Sequence, residues 1–370
     1  MLNIFDIEFK HLRCLPGANF ACFPDDPGDP REILELPRQG PHIYLEAMSA
    51  LANAGVLMTM NRRTCLAAGL ALAATPILRV VPVGAAGGFA VEVAPGVFVH
   101  RGQHAVFTPA NQGDISNPGF VVGRDAVAVI DTGGSPIVGR ALKAAVTAVT
   151  DVPIRFVINT HMHPDHVFGN VAFAAEGLTF VGHHKMERGL LARADRYLAI
   201  NKELLGAAAF EGTKILPPTM QVAATETLDL GGRTLELTAQ PTAHTDNDLT
   251  VTDSATGTVF MGDLLFVEHI PTIDGSIKGW MALLDRFGQT PPARVVPGHG
   301  PAALTWADAA TPLQRYLTTV ATDVRALIKQ GRTLAEATES AGASEKDAWQ
   351  LFDEYHKRNV SAAFAELEWE

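Results

Sequence analysis

The stretch THMHPDH, residues 160–166, sets three histidines and an aspartate within six positions, directly after the apolar run Ile154, Phe156, Val157 and Ile158. An apolar run of that kind predicts a strand. His161, His163, Asp165 and His166 are therefore delivered together by one tight loop at a strand end. Imidazole and carboxylate suit Zn²⁺ and related divalent ions, and burying so many ionisable groups is costly without a cation to pair them. A lone histidine is more often a satisfied core or surface residue, but four donors so close together reverse that expectation.

Working outward, the residues from Phe89 fall into short alternating runs, FAVEVAPGVFVHRG and GFVVGRDAVAVIDTGG, punctuated by Gly and Pro as consecutive antiparallel strands require. Ser135 is placed to cap a helix from Pro136 to Val149. The strand PIRFVINT, the histidine loop, a helical start at VFGNVAFAAEG and the strand LTFVG follow, which is alternating β and α. A long helix is predicted from Lys185 to Ala208. After it come the hairpin TLDLGGRTLELTAQ, the strands DLTVTD and TGTVFMGD, the helix GWMALLDRF, the strand ARVVPGHG and helices beyond Pro301.

Three more donors stand at the ends of these later strands: His244 in TAHTDND, Asp263 in VFMGDLLF and His299 in VVPGHG. Each singly reads as an ordinary turn or loop residue. Strand ends are where α/β arrangements gather functional loops, and the glycines beside Asp263 and His299 permit close backbone approach. Asp131, in VAVIDTGG, reads either as a turn former before two glycines or as a support for the metal loop.

Taken in order, His161, His163, Asp165, His166, His244, Asp263 and His299 resemble the complete dinuclear set of the metallo-β-lactamase superfamily, over about Val91 to Pro301. The resemblance implies an α/β fold, a four-layer αβ/βα sandwich of two mixed sheets. It implies two Zn²⁺, with iron as the other candidate. His161, His163 and His244 would hold the first ion, Asp165, His166 and His299 the second, with Asp263 between them and Asp131 supporting the loop. Asp165 is also the expected catalytic proton carrier. The branches that use a cysteine ligand are excluded, because the three cysteines, Cys14, Cys22 and Cys65, all precede this region. The flavodiiron branch has a glutamate where His163 stands.

Outside the ligands, NQGDISNPGF, DGSIKGW and LFDEYHKRNVSAAFAELEWE are similar to exported metallohydrolases of sulfur-oxidation loci and quinoprotein relay systems. A periplasmic quinoprotein dehydrogenase system is the partner this implies. The expected reaction is cleavage of an ester, thioester, lactone or amide in a small molecule. The alternatives are an oxygenase like the persulfide dioxygenases, which use a single iron, a weak β-lactamase, or a non-catalytic metal protein assisting quinoprotein assembly. Residues 103–118 are expected to form a flap over the site and residues 266–278 its other wall, with His269 and Lys278 as candidates for binding an anionic group.

Composition bounds the rest. A net charge of -11 argues against nucleic acid or an anionic membrane as main partner, since both need a basic surface. Residues 58–86 contain Asn61, Arg62 and Arg63, an apolar segment from Cys65 to Leu78 and small residues at Ala85 and Ala86, the layout of an export signal resembling the twin-arginine type. Arg79 leaves that segment too short for a membrane span. The native start is therefore expected at Met58 or Met60, with residues 1–57 an extension that is non-native or disordered, and the mature protein periplasmic. Residues 89–301 would form the metal-binding domain, and residues 302–370 helices packed on it or on a second subunit.

Overall fold

The computed structural model describes residues 88–174 and 177–370. The expected extension over 1–57 and the export signal over 58–86 lie outside the described residues. Two sheets organise the rest. The first has seven strands in sequence order, β1 (Val91–Ala94), β2 (Val97–Val99), β3 (Gly119–Val122), β4 (Val127–Ile130), β5 (Ile154–Ile158), β6 (Thr179–His183) and β7 (Met220–Val222). It is an antiparallel meander up to β4 and parallel from β4 to β7. The second runs β12 (Arg294–His299), β11 (Thr258–Phe266), β10 (Leu249–Asp253), β9 (Thr234–Ala239), β8 (Thr225–Asp229), antiparallel except for the β11–β12 pair.

Strand periodicity explains the layering. In β4 the side chains of Ala128 and Ile130 face one way and those of Val127 and Val129 the other, and all four are buried. Ala128 and Ile130 join Ile158, Val181, Leu237, Val251, Phe260 and Val296 in a core between the two sheets. Val127 and Val129 pack with Leu142 and Val146 of α1 (Pro136–Val149). On the far side, Val259, Met261 and Val295 of the second sheet meet Trp280, Leu283 and Leu284 of α4 (Ile277–Gln289) and Leu313 and Leu317 of α5 (Trp306–Lys329). Helix, sheet, sheet and helix thus make four layers, each apolar face covered by the next. Fully burying one large apolar side chain in such a core is worth about 1.5–3 kcal/mol.

The helices form where their caps permit. Ser135 accepts from Val138 N with Pro136 at the first turn, as its sequence predicts. After β5 the chain makes one α-turn, α2 (Pro164–Val167), and then a 3₁₀ turn over Phe168–Phe173. The expected helix over VFGNVAFAAEG is tightened because Gly169 lies against the chain: a Cβ there would stand 2.0 Å from Thr132 O. Helix α3 (Met186–Phe210) packs Met186 and Leu190 on Met162, Val167 and Phe168 of the metal loop. Beyond the sandwich lie α5, α6 (Leu334–Ser340), a 3₁₀ turn over Ala343–Ala348 and α7 (Phe352–Leu367). Among the described residues no helix is long and apolar enough to cross a membrane.

Candidate metal centre

The loop after β5 and three points on the second sheet converge. His161, His163, His244 and Asp263 form one group of possible ligands, and Asp165, His166, Asp263 and His299 another, with ligand atoms in each group within 4.8 Å of one another. Asp263 belongs to both. It lies in β11, His299 ends β12, and His244 sits in the turn between β9 and β10. Glycine makes the last approach possible: a Cβ at Gly298 would lie 1.9 Å from Asp263 Oδ1.

Each histidine turns one ring nitrogen toward the cluster and gives the other to the protein. His166 Nδ1 donates to Asp131 Oδ2 at 2.8 Å, His244 Nδ1 to Thr272 O at 2.7 Å and His299 Nδ1 to Ile115 O at 2.8 Å. His161 Nδ1 contacts the Thr160 hydroxyl at 3.1 Å. His163 is the reverse case: its Nε2 donates to Asp274 Oδ2 at 3.0 Å, leaving Nδ1 facing the cluster. Such outer bonds fix the tautomer and orientation that a metal ligand needs. Asp131 also accepts from Thr160 N and Thr160 Oγ1, both at 2.8 Å, and holds a positive φ of 55° to do so. Asp131 thus ties strand end, loop and ligand together.

The donor set fits divalent ions. His161 Nε2, His166 Nε2 and Asp263 Oδ1 are buried without a hydrogen-bond partner in the protein, although His166 Nε2 and Asp263 Oδ1 are 3.1 Å apart. Buried polar atoms are rarely left so, and a cation in each group would satisfy them. Burial holds the His244 imidazole down, to about 3, the neutral form a ligand must have. Burial opposes charge on His299 too, but Asp263 and Asp165 outweigh it and hold its pKa up at about 9.

Residues 111–118 lie inside rather than over the site. Ser116 Oγ donates to Asp165 O at 2.5 Å, and Asn117 Nδ2 donates to Pro297 O and Gly300 O on either side of the strand end that carries His299. Asn111, Ser116 and Asn117 are buried while Gln112 is exposed, so the expected flap over 103–118 is confined mainly to residues 103–110, which keep several exposed positions. His269 and Lys278 do not have the surroundings of an anion site. His269 is buried with its ring 4.9 Å from that of His299; burial pushes its pKa down to about 3, and its Nδ1 is taken by Ile270 O. Lys278 pairs instead with Glu370 at 3.4 Å. His356 is structural, bonded to Tyr316 Oη and Ala341 O.

Asp274 and Asn359 carry roles that no spacing announces. Asn359 Nδ2 donates to Pro271 O and its Oδ1 accepts from Ile273 N, clamping the residues either side of Thr272, whose carbonyl orients His244.

A fold of two mixed sheets with a histidine and aspartate centre at their edge defines a class, and the chain belongs to it: the Metallo-beta-lactamase superfamily model matches residues 111–299. The matched region carries the whole cluster, whose donor set fits a divalent metal. Among solved structures, the stereoselective inverting sec-alkylsulfatase Pisa1 from Pseudomonas sp. is similar in fold, with TM-score 0.59 and 16% identity over 75% of this chain and 50% of its own. The chain thus spans about half the length of that protein. The metallo-beta-lactamases of Pontibacter korlensis and Hirschia baltica, 19% and 18% identical, each align with 62% of this chain at TM-score 0.48 and over 98% and 96% of their own length. No curated protein matches the chain.

Proposed function

We propose that this chain is a dinuclear zinc hydrolase that cleaves an ester, thioester, lactone or amide in a small molecule. The observation that carries the reading is the closure of seven donors into two groups that share Asp263, with buried, unpartnered atoms in both. Divalent ions held there would acidify water and polarise the bond under attack. The chain's residues supply the rest. Asp131, Thr272, Ile115 and Asp274 fix the ring orientations before substrate arrives, so no reorganisation is required at the moment of reaction. Asp165 is the most exposed member of the second group, its side chain 14% accessible, with Oδ2 at 3.2 Å from His299 Nε2. It is therefore placed to take a proton at its carboxylate and return it to the leaving group.

Completeness of the second group, with His166 fully buried, favours two ions over the single iron of an oxygenase. Export to the periplasm, with a quinoprotein dehydrogenase system as partner, is part of the proposal and rests on residues 58–86 and on the sequence resemblance alone. The deciding experiment is metal analysis of the protein from its native host together with a panel of ester, thioester, lactone and amide substrates. Two zinc ions per chain and chelator-sensitive hydrolysis are expected. One iron per chain with oxygen uptake overturns the reading. Asp165→Ala should lose turnover by about 10²–10⁴-fold, the usual range for a positioned proton carrier.

A further inference from the structure

The wall beside His163 holds charge that the hydrolytic reading leaves unused. Asp274 Oδ2 accepts from the ligand His163. Two guanidiniums from separate helices approach the same carboxylate, Arg193 of α3 at 3.8 Å from Oδ2 and Arg358 of α7 at 3.6 Å from Oδ1. Neither distance is that of a hydrogen bond. Three other arginines meet a carboxylate by a two-point fork, Arg233 to Asp253, Arg315 to Glu345 and Arg325 to Glu370. Among the described residues Arg193 and Arg358 make no such fork. Two cations thus share one carboxylate that is already engaged by a metal ligand, in a chain whose net charge is -11.

Two phenols flank them, Tyr197 on α3 and Tyr355 on α7. The Tyr197 hydroxyl is pushed up by burial and lies in the fields of Arg193, Asp274, Asp165 and Arg358; the Tyr355 hydroxyl, also pushed up by burial, lies in those of Asp165, Arg358 and Asp263. The Tyr355 ring stands 5.5 Å from that of His269, and Tyr197 packs against the cluster of Met162, Val167 and Phe168 beside the metal loop. Among the described residues neither hydroxyl has a hydrogen-bond partner. Guanidinium forks with free donors, facing a common point from two sides, match the planar oxygens of an oxyanion.

We propose that Arg193 and Arg358 form an anion clamp at the mouth of the metal centre, selecting substrates that carry a carboxylate, sulfate or phosphate group beside the bond to be cleaved. Tyr197 and Tyr355 supply additional donors to that group. Asp274 keeps the two guanidiniums apart and aimed until the anion displaces it as their partner, while it continues to hold His163. The clamp deepens the hydrolase reading and rests on it, since it assigns the charge of that enzyme's substrate.

The test is calorimetric titration of the zinc-loaded full chain with phenylacetate, phenyl sulfate and phenyl phosphate, repeated on Arg193→Gln/Arg358→Gln with zinc content measured alongside. At least one probe is expected to bind and to lose roughly tenfold in affinity per arginine removed, at unchanged zinc content. The probe that loses most identifies the oxyanion. Arg193→Lys/Arg358→Lys, which keeps the charges but not the forks, should recover part of the loss. Unchanged affinity in the glutamine variant, or no binding of any probe to the wild-type chain, overturns the clamp. Because titration needs no turnover, an enzyme that binds the probes in this way yet hydrolyses nothing on the substrate panel would sink the hydrolase reading and leave the clamp standing.

Discussion

The two sheets serve one centre by opposite means. At the end of β5, four donors leave in a single loop; Asp131, at the end of β4, holds both Thr160 and His166, while Asp274 holds His163 from outside that sheet. On the other sheet, His244, Asp263 and His299 come singly, from three separate segments of the chain. Thr272 and then Asn359 stand behind His244, and Ile115 stands behind His299. The difference teaches where cooperativity resides. The donors of the first half are contiguous in sequence, whereas those of the second half are brought together by the packing of the sandwich.

That contrast can be broken at its joint. Gly298→Ala would press a Cβ onto Asp263 Oδ1, within the carboxylate that both groups share, so metal content and hydrolysis should fall to background, as metal analysis and activity would show. A variant that kept both ions would mean that β11 and β12 can separate without loss of the site.

Next in size are the outer carboxylates. Asp131→Asn and Asp274→Asn should each cost about 10–100-fold in metal affinity or activity. Asp131 should cost more, because it braces Thr160 and His166 together while Asp274 supports His163 alone. Competition with a chelator of known affinity would rank them; the opposite order would show that the local half is the less dependent on its brace.

Asn359→Leu probes the distributed half. It leaves buried Pro271 O and Ile273 N unpartnered, which should destabilise the fold by about 1–3 kcal/mol for each group in denaturant unfolding and weaken metal binding at His244 more than at His166.

The last effect is one of pH. Asp248, in the turn after His244, is pushed up to about 7 by burial, although bonds from Thr245 pull it the other way. Its folded pKa lies above its unfolded value, so the folded state binds the proton more tightly. The stability it confers on metal-free protein is present at low pH and is lost as pH rises from about 4 to about 7, levelling above that. Asp248→Asn should remove that slope, measured as the difference between wild-type and variant unfolding midpoints across the range; parallel curves would count against it.

Legibility in the sequence followed the same division. His161 to His166 could be read from six adjacent letters, because a strand end and a tight loop fix where their side chains point. His244, Asp263 and His299 became readable only as members of that set, each being an ordinary turn residue alone. Asp274 and Asn359 could not be read, since their partners are brought to them by tertiary packing and no period marks it. Ser116 and Asn117, placed by their position in the expected flap, instead satisfy carbonyls of the ligand-bearing segments, contacts that only tertiary packing creates. The three-residue edge strand β7 has too few positions to show alternation.

The place of Asn359 also sets a schedule. The HMHPDH loop is synthesised nearly two hundred residues before Asn359, a lag of about 10–40 s at roughly 5–20 residues per second. Throughout that interval the early histidines are present but His244 has no fixed carbonyl to hold it. The complete donor set is therefore held in place only in the finished protein, and the choice of metal falls to whichever compartment the protein occupies when its last helix docks.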